Sequence, residues 1–207
     1  MRAVKVSSLS CIVSGFLAAQ PSLRITSPAN GTIVHPGQSL TVTVEASPAG
    51  AFQQVIVIGW DPIGFAQPLS APPYRFTIQI PIKIVPRRYL LTADGMTSPG
   101  HGATSDPIEI VVERSGSPIR LHVEPSLLDL SLSEKGYLRV VGEYADGTST
   151  DVTNSTKIVF SSSTPTVATA QPYGIVIPVA PGSAKIIATC GTVKAEIPVR
   201  VRGNSRR

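Results

Sequence analysis

The sequence predicts an all-β protein made of two sandwich domains. Over short segments, apolar residues alternate with polar ones, and this period of two is typical of strands with one face on a core. No window of the sequence shows a sustained helical period. The chain of 207 residues contains 19 prolines, and each proline removes a backbone N–H and disrupts a helical turn. This length fits two domains of about 100 residues each.

Residues 1–19 are predicted to be a secretory signal peptide. Arg2 and Lys5 precede an uncharged apolar segment, residues 9–19, which ends in two alanines. A basic start, a short apolar segment and small residues at its end are typical of export signals. The segment is shorter than the ~20 residues that a membrane-spanning helix needs. We therefore expect a secreted, extracellular or periplasmic protein; the alternative is a short N-terminal strand or helix.

The first predicted domain covers residues 20–114 and contains about seven short strands, the spacing of a β-sandwich. In residues 40–46 the side chains of Leu40, Val42 and Val44 share one face. The run of four apolar residues at 55–58 indicates a more central strand. The other predicted strands lie at residues 23–26, 75–80, 88–93 and 108–112.

A short linker of small residues, 115–118, precedes the second predicted domain, residues 119–202, and residues 203–207 form a basic tail. The Asp146-Gly147 pair predicts a hairpin turn. Ala184, Ile186, Ala188 and Cys190 alternate along one predicted strand and should share a core face. The remaining predicted strands lie at residues 119–124, 138–143, 157–161, 167–170, 174–179 and 193–201.

Residues 118–202 resemble a bacterial immunoglobulin-like domain of group 2, the repeat of invasin- and intimin-type surface proteins. The resemblance rests on Tyr-x-Asp-Gly-Thr at 144–148, Asp-Val-Thr at 151–153, Val-Ala-Thr at 167–169 and Pro-Gly-x-Ala at 181–184. Phe160 departs from the pattern, because the family often has tryptophan there. The turn at residues 171–173 is also unusual.

Residues 22–113 resemble another bacterial Ig-like module more loosely. The shared features are Ile-Thr-Ser-Pro-Ala-Asn-Gly at 25–31, His-Pro-Gly at 35–37 and Pro-Pro-Tyr at 72–74. Together the two resemblances imply tandem Ig-like domains in a secreted or cell-surface bacterial protein with a structural, adhesive or spacer role. They imply no catalytic residues.

The net charge of +5 belongs to the two ends of the chain. Residues 1–19 contribute two basic residues and residues 200–207 contribute four, which leaves 12 basic against 13 acidic residues in the body. The body is therefore almost neutral. Since no body segment concentrates Lys and Arg or interleaves them with aromatics, we expect no nucleic-acid partner.

The sequence indicates no catalytic, cofactor-binding or metal-binding residues. His35, His101 and His122 lack partners at familiar metal-ligand spacings. A hydrolase using Ser98, His101 and Asp106 is a remote alternative, since a triad is defined by geometry. However, the sequence has no Gly-x-Ser-x-Gly motif. We expect a protein without enzymatic activity and without cofactors.

Two further chemical candidates have simpler explanations. Cys190 shares the apolar face of Ala184 and should be a buried, unreactive thiol. Asp146 and Asp151 flank the predicted hairpin, where carboxylates stabilise turns. A calcium site usually needs six or more oxygen ligands, so we interpret these two acids as turn residues.

Trp60 ends the predicted strand at residues 55–59, and the favoured interpretation is a buried core anchor. The alternative is a sugar-stacking contact in which Phe65 or Tyr74 assists Trp60. The proline-rich segment 61–73 would then contribute to a surface for a glycan or a cell-surface protein. The sequence leaves the oligomeric state open.

Overall fold

The fold is taken from a computed structural model, which describes residues 20–203. The predicted signal peptide, including Cys11, and the last four residues of the predicted basic tail lie outside the described residues. The described chain is all-β with one short 3₁₀ turn, as the sequence predicts. Its first half contains β1 (Ser22–Ser27), β2 (Thr32–Val34), β3 (Ser39–Ser47), β4 (Gln54–Gly59), β5 (Gly64–Phe65), β6 (Tyr74–Gln79), β7 (Arg87–Ser98), β8 (His101–Thr104) and β9 (Ile108–Val112).

Two sheets form a sandwich in the first half. One has the order β1-β3-β6, and the other has the order β2-β9-β7-β4-β5 with β8 beside β7. Neighbouring strands are antiparallel except for β2 and β9, which are parallel. Both sheets supply fully buried side chains to one core, as face-to-face packing requires. Examples are Val42 and Phe76 from the first sheet and Val57, Leu91 and Ile110 from the second.

The second half has three sheets, in the orders β10-β13-β14, β11-β19-β18-β15 and β12-β17-β16. Strand β11 pairs with β19 in parallel. The elements are β10 (Arg120–Glu124), β11 (Leu128–Ser131), β12 (Gly136–Tyr137), β13 (Arg139–Glu143), β14 (Ser149–Asp151), β15 (Ile158–Ser162), β16 (Ala168–Gln171), the 3₁₀ turn Pro172–Gly174, β17 (Ile175–Pro178), β18 (Gly182–Cys190) and β19 (Val193–Arg202).

The period-two alternation in the sequence correctly predicts which side chains of β18 face the core of the second half. Ala184, Ile186, Ala188 and Cys190 are all buried on one face of β18. Strand β19 contributes Ile197, Val199 and Val201 to the same side of the fold. Because β18 and β19 pair over nine residues, these two strands form the longest ladder of this half.

The predicted hairpin at Asp146-Gly147 is present and joins β13 to β14. The Tyr144 N–H donates to the Thr148 carbonyl at 2.9 Å. Gly147 has φ +78°, a conformation that favours glycine. A different turn, at Pro172–Gly174, places Tyr173 at φ 65°. This strained residue lies in the segment that departs from the group 2 pattern.

Among the described residues, every strand pairs only with strands of its own half. The buried clusters divide in the same way, with one at residues 23–112 and two at residues 121–201. Strands β9 and β10 flank the predicted linker. Over residues 20–203, the structure contains no helix long and apolar enough to cross a membrane.

Candidate functional site

Trp60 lies on the solvent side of the first half, with 57% of its side chain exposed. Alternation along β4 explains this position, because Val55, Val57 and Gly59 face the core. A Cβ at Gly59 would lie 2.5 Å from Ile63 Cγ2, so the core is already filled there. The interpretation of Trp60 as a buried core anchor is therefore wrong.

Phe65 lies on the same hairpin as Trp60 and is 71% exposed. It pairs with Ile58 across β4 and β5, and Ile58 is itself 38% exposed. Tyr74 is only 2% exposed and lies on β6, opposite Val44 in the other sheet. The structure thus places Trp60 and Phe65 on one surface and Tyr74 in the core, which corrects the grouping with Tyr74. We call Ile58, Trp60 and Phe65 the aromatic face.

A groove of about 410 Å³ lies beside the aromatic face on the same sheet. Asp94 on β7 is one of its lining residues and lies between Ile56 on β4 and Thr104 on β8. Asp94 Oδ1 is buried, and no side chain or backbone donor among residues 20–203 reaches it. We call this the Asp94 groove. Its other lining residues are Gln54, Ile56, Pro68, Gly95, Met96, Gly100, His101 and Gly102.

The second notable feature is a buried carboxylate between the two halves. Glu113, directly after β9, is only 2% exposed. Its Oε1 accepts the Thr156 N–H at 2.7 Å and the Thr156 hydroxyl at 2.9 Å. Its Oε2 accepts the Ser155 hydroxyl at 2.8 Å. Three donors, the Ser155 hydroxyl and the N–H and hydroxyl of Thr156, therefore tie the end of the first half to the loop before β15.

Further contacts flank Glu113. We call Glu113, its partners Ser155 and Thr156, and the flanking residues Arg114, Tyr144, Asp146 and Lys157 the junction. Lys157 Nζ donates to the carbonyls of Arg114 at 2.8 Å and Gly116 at 3.3 Å. Arg114 pairs with Asp146 at 3.0 Å, and its guanidinium lies 4.5 Å from the Tyr144 ring centre. Burial is the main reason that the pKa of Tyr144 is raised. Lys157 therefore holds the predicted linker at Gly116, and Arg114 directly before the linker contacts the second half.

Sequence reasoning missed Glu113, although one signal was present. It is an acid that directly follows the apolar run at residues 108–112. Its partners lie 42 and 43 residues further along the chain. A pattern of local alternation contains no information about such distant contacts.

The three histidines are exposed and separate. His35 Nδ1 lies 2.7 Å from the Glu113 carbonyl, and His122 Nε2 lies 2.7 Å from Glu143. His101 lies opposite Ser98 at the end of the β7–β8 hairpin, and Asp106 follows β8. In that hairpin Thr97 donates its hydroxyl to the His101 carbonyl at 3.2 Å.

The hairpin acids have the turn roles that the sequence predicts. Asp146 accepts the Thr148 N–H at 3.0 Å. Asp151 accepts the Thr153 N–H at 2.9 Å and pairs with Arg139 at 3.0 Å. Within residues 20–203, no group of three or more His, Cys, Asp or Glu side chains is placed to hold a metal ion.

Cys190 is buried and unpaired with another cysteine in the described chain, as predicted. Its side chain packs in the cluster of Leu121, Val140 and Ala188. Burial raises the pKa of the thiol, which outweighs the opposite effect of the Lys157 ammonium. A protonated thiol in an apolar cluster is a poor nucleophile.

Comparison with known families gives one match, which covers part of the first half. Residues 21–82 match the model of a bacterial Ig domain. The sequence-based recognition of a bacterial Ig-like segment is thereby confirmed, and the matched segment falls within the more loosely resembling half. The specific group 2 resemblance of residues 118–202 stays a prediction. No curated protein matches the chain.

Several solved structures share a general likeness with the chain. The fibronectin(III)-like modules of Clostridium thermocellum CbhA are 14% identical over 89% of this chain and 96% of that chain, with a TM-score of 0.37. The surface layer protein SbsC, domains 1–6, is 16% identical over 91% of this chain, with a TM-score of 0.39. This chain spans 28% of that SbsC chain. At such scores the likeness carries no argument about function.

Proposed function

We propose that the chain is a non-catalytic spacer of an exported bacterial protein, in which two Ig-like units are held in a fixed relative orientation. The two units correspond to residues 20–114 and 119–202, joined by residues 115–118. The bacterial Ig match over residues 21–82 supports the class. The hydrogen bonds of Glu113 to Ser155 and Thr156 carry the proposal of a fixed orientation.

A freely jointed spacer needs neither a buried charge nor partners for it. Burying a carboxylate is costly unless hydrogen bonds satisfy it. Here Glu113 receives its donors from the other half, so separation of the halves would expose Glu113 and leave Ser155 without its partner. This coupling favours one relative orientation of the two halves. A short linker without such contacts would normally permit the domains to move.

Small-angle X-ray scattering of the full chain tests the fixed orientation. The wild type should give a single, narrow distribution of overall dimensions that one arrangement of the two halves fits. Glu113→Ala should broaden the distribution and increase the mean dimension, because the acceptor of three hydrogen-bond donors across the junction is lost. Antibody labelling of intact source cells tests the surface location.

Glu109→Gln is the matched control for the scattering experiment. Glu109 lies on the same strand, β9, but pairs with Arg88 within the first half. This variant should scatter like the wild type. A wild type whose data require many orientations would contradict the proposal, as would an unchanged profile for Glu113→Ala.

A further inference from the structure

The outward side of β4, β5 and β7 combines two kinds of side chain in one place. Exposed rings form the aromatic face, and the half-buried Asp94 with the exposed Gln54 and His101 lines the adjacent Asp94 groove. Neither part has a role in the junction or in the core. Their combination carries an inference that is independent of the proposed spacer role.

The aromatic face is unusual for the water side of an antiparallel sheet. Such a side is ordinarily polar, whereas here Trp60, Phe65 and Ile58 are exposed together. A contiguous exposed apolar patch marks a binding surface more often than isolated apolar residues do. Flat rings with open faces suit a ligand that has flat apolar faces of its own.

The Asp94 groove supplies the matching polar groups. The Asp94 carboxylate has an oxygen without a donor in the described chain, and an unused acceptor of this kind favours a ligand that brings donors. Asp94 lines the groove, and rotation about its terminal carboxylate bond is soft, so the carboxylate can present an acceptor there. Gln54 and His101 add groups that both donate and accept hydrogen bonds. A ligand bearing hydroxyl groups satisfies all three.

The two parts are aligned along strand β4. Residues two apart on a strand lie on the same side, so Gln54, Ile56 and Ile58 form one row, and Trp60 follows in the turn directly after β4. Ile56 lies in the groove beside Asp94, and Trp60 lies four residues further on. At about 3.3 Å per residue, the row from Gln54 in the groove to Ile58 in the aromatic face is about 13 Å long, and Trp60 lies beyond it. The site is therefore elongated and suits a chain of linked rings better than a single small molecule.

The charge of the site limits the ligand further. The described residues that line the groove include one carboxylate and no Lys or Arg. An acidic polymer would meet repulsion from Asp94 without a compensating cation. We propose that this surface binds an uncharged pyranose glycan, whose rings stack on Trp60 and Phe65 while its hydroxyls bond to Asp94, Gln54 and His101.

Calorimetric titration of the full chain with neutral hexasaccharides tests the proposal. The probes are cellohexaose, mannohexaose, xylohexaose and the hexamer of N-acetylglucosamine. The wild type should bind at least one of them. Trp60→Ala should weaken that binding at least ten-fold because the stacking surface is removed, and Asp94→Asn should weaken it because the charged acceptor is lost.

Tyr137→Ala is the matched control, since Tyr137 is an exposed aromatic residue of the second half. It should bind like the wild type. Gln54→Ala and His101→Ala provide further variants in exposed positions in case Asp94→Asn does not fold, as judged by circular dichroism. The proposal is overturned if no hexamer binds the wild type at millimolar concentration, or if Trp60→Ala binds as well as the wild type. Binding to a protein partner through this face, without glycan binding, would also overturn it.

Discussion

The backbone N–H of Thr156 donates a 2.7 Å hydrogen bond to the Glu113 carboxylate, across the boundary between the two halves. Glu113 ends the first half, and Thr156 precedes β15 of the second. The Thr156 hydroxyl reaches the same oxygen at 2.9 Å. The first half thus supplies the acceptor of this buried polar contact, and the second half supplies its donors.

Replacing Glu113 should destabilise the protein. Glu113→Ala leaves the Ser155 hydroxyl and the Thr156 N–H without their acceptor, so we expect the free energy of unfolding to fall by about 1–3 kcal/mol. Urea denaturation followed by circular dichroism measures this change. Glu109→Gln on the same strand should change it by less than about 0.5 kcal/mol. A loss of unfolding free energy for Glu113→Ala that is as small as the one for Glu109→Gln would show that the junction contributes no stability.

The core of the second half should be sensitive to truncation at Ile186. This side chain is fully buried on β18, so Ile186→Ala should lower the free energy of unfolding by about 2–5 kcal/mol. Val159 lies exposed on the adjacent strand β15, and Val159→Ala should cost less than about 0.5 kcal/mol. Urea denaturation of both variants checks the difference. Similar losses would contradict the arrangement of this sheet.

The Cys190 thiol should react slowly in the folded protein. Burial raises its pKa and blocks access, so we expect modification at pH 8 to be roughly 100-fold slower than for an exposed cysteine. The measurement uses a chromogenic disulfide reagent on a Cys11→Ser background. Thr192→Cys, which adds an exposed thiol two residues away, gives the fast reference rate. A native Cys190 that reacts as fast as this reference would refute its burial.

Asp151 should make stability depend on pH. Burial alone would raise the pKa of Asp151, but hydrogen bonds from Thr153 and the Arg139 guanidinium outweigh it and hold the pKa below the usual 3.8. A lowered folded pKa means that the carboxylate stabilises the fold above pH 3.8 and that this contribution is lost as the pH falls through the folded value.

Asp151→Asn tests this dependence. At pH 7 the variant should be less stable than the wild type by about 1 kcal/mol, because charge-assisted bonds are lost. The difference should shrink as the pH falls from about 4 toward the lowered folded pKa, since the unfolded state binds the proton first and the folded wild-type carboxylate is protonated only at lower pH. Thermal denaturation between pH 7 and pH 2.5 follows it. A difference that stays constant over this range would exclude the carboxylate charge as its source.

Local alternation predicted the long strands well because their periodicity is visible within each strand. The face of Ala184, Ile186 and Ala188 and the Asp146-Gly147 hairpin are two examples. Short strands such as β2 and β5 have three and two residues, too few to show a period. Their formation depends on partners far away in the sequence.

The errors at the candidate site have a common origin. Trp60 and Tyr74 were assigned by residue type, whereas alternation from Val57 and from Phe76 would have placed Trp60 outside and Tyr74 inside. Asp94 was not predicted at all. Its position beside Ile56 follows from the register of β4 and β7, which the sequence does not encode locally.

The parallel pairing within each half bears on what happens when the chain is pulled. In the first half β2 runs alongside β9 from Thr32 opposite Ile110, and in the second half β11 runs alongside β19 from Leu128 opposite Val199. Each pair joins an early strand to the last strand of its half. Tension applied to the two ends therefore slides the paired strands along each other, which loads their hydrogen bonds in shear and all at once. A terminal antiparallel hairpin would instead open one bond at a time, so we expect this parallel pairing to resist tension along the direction of the chain.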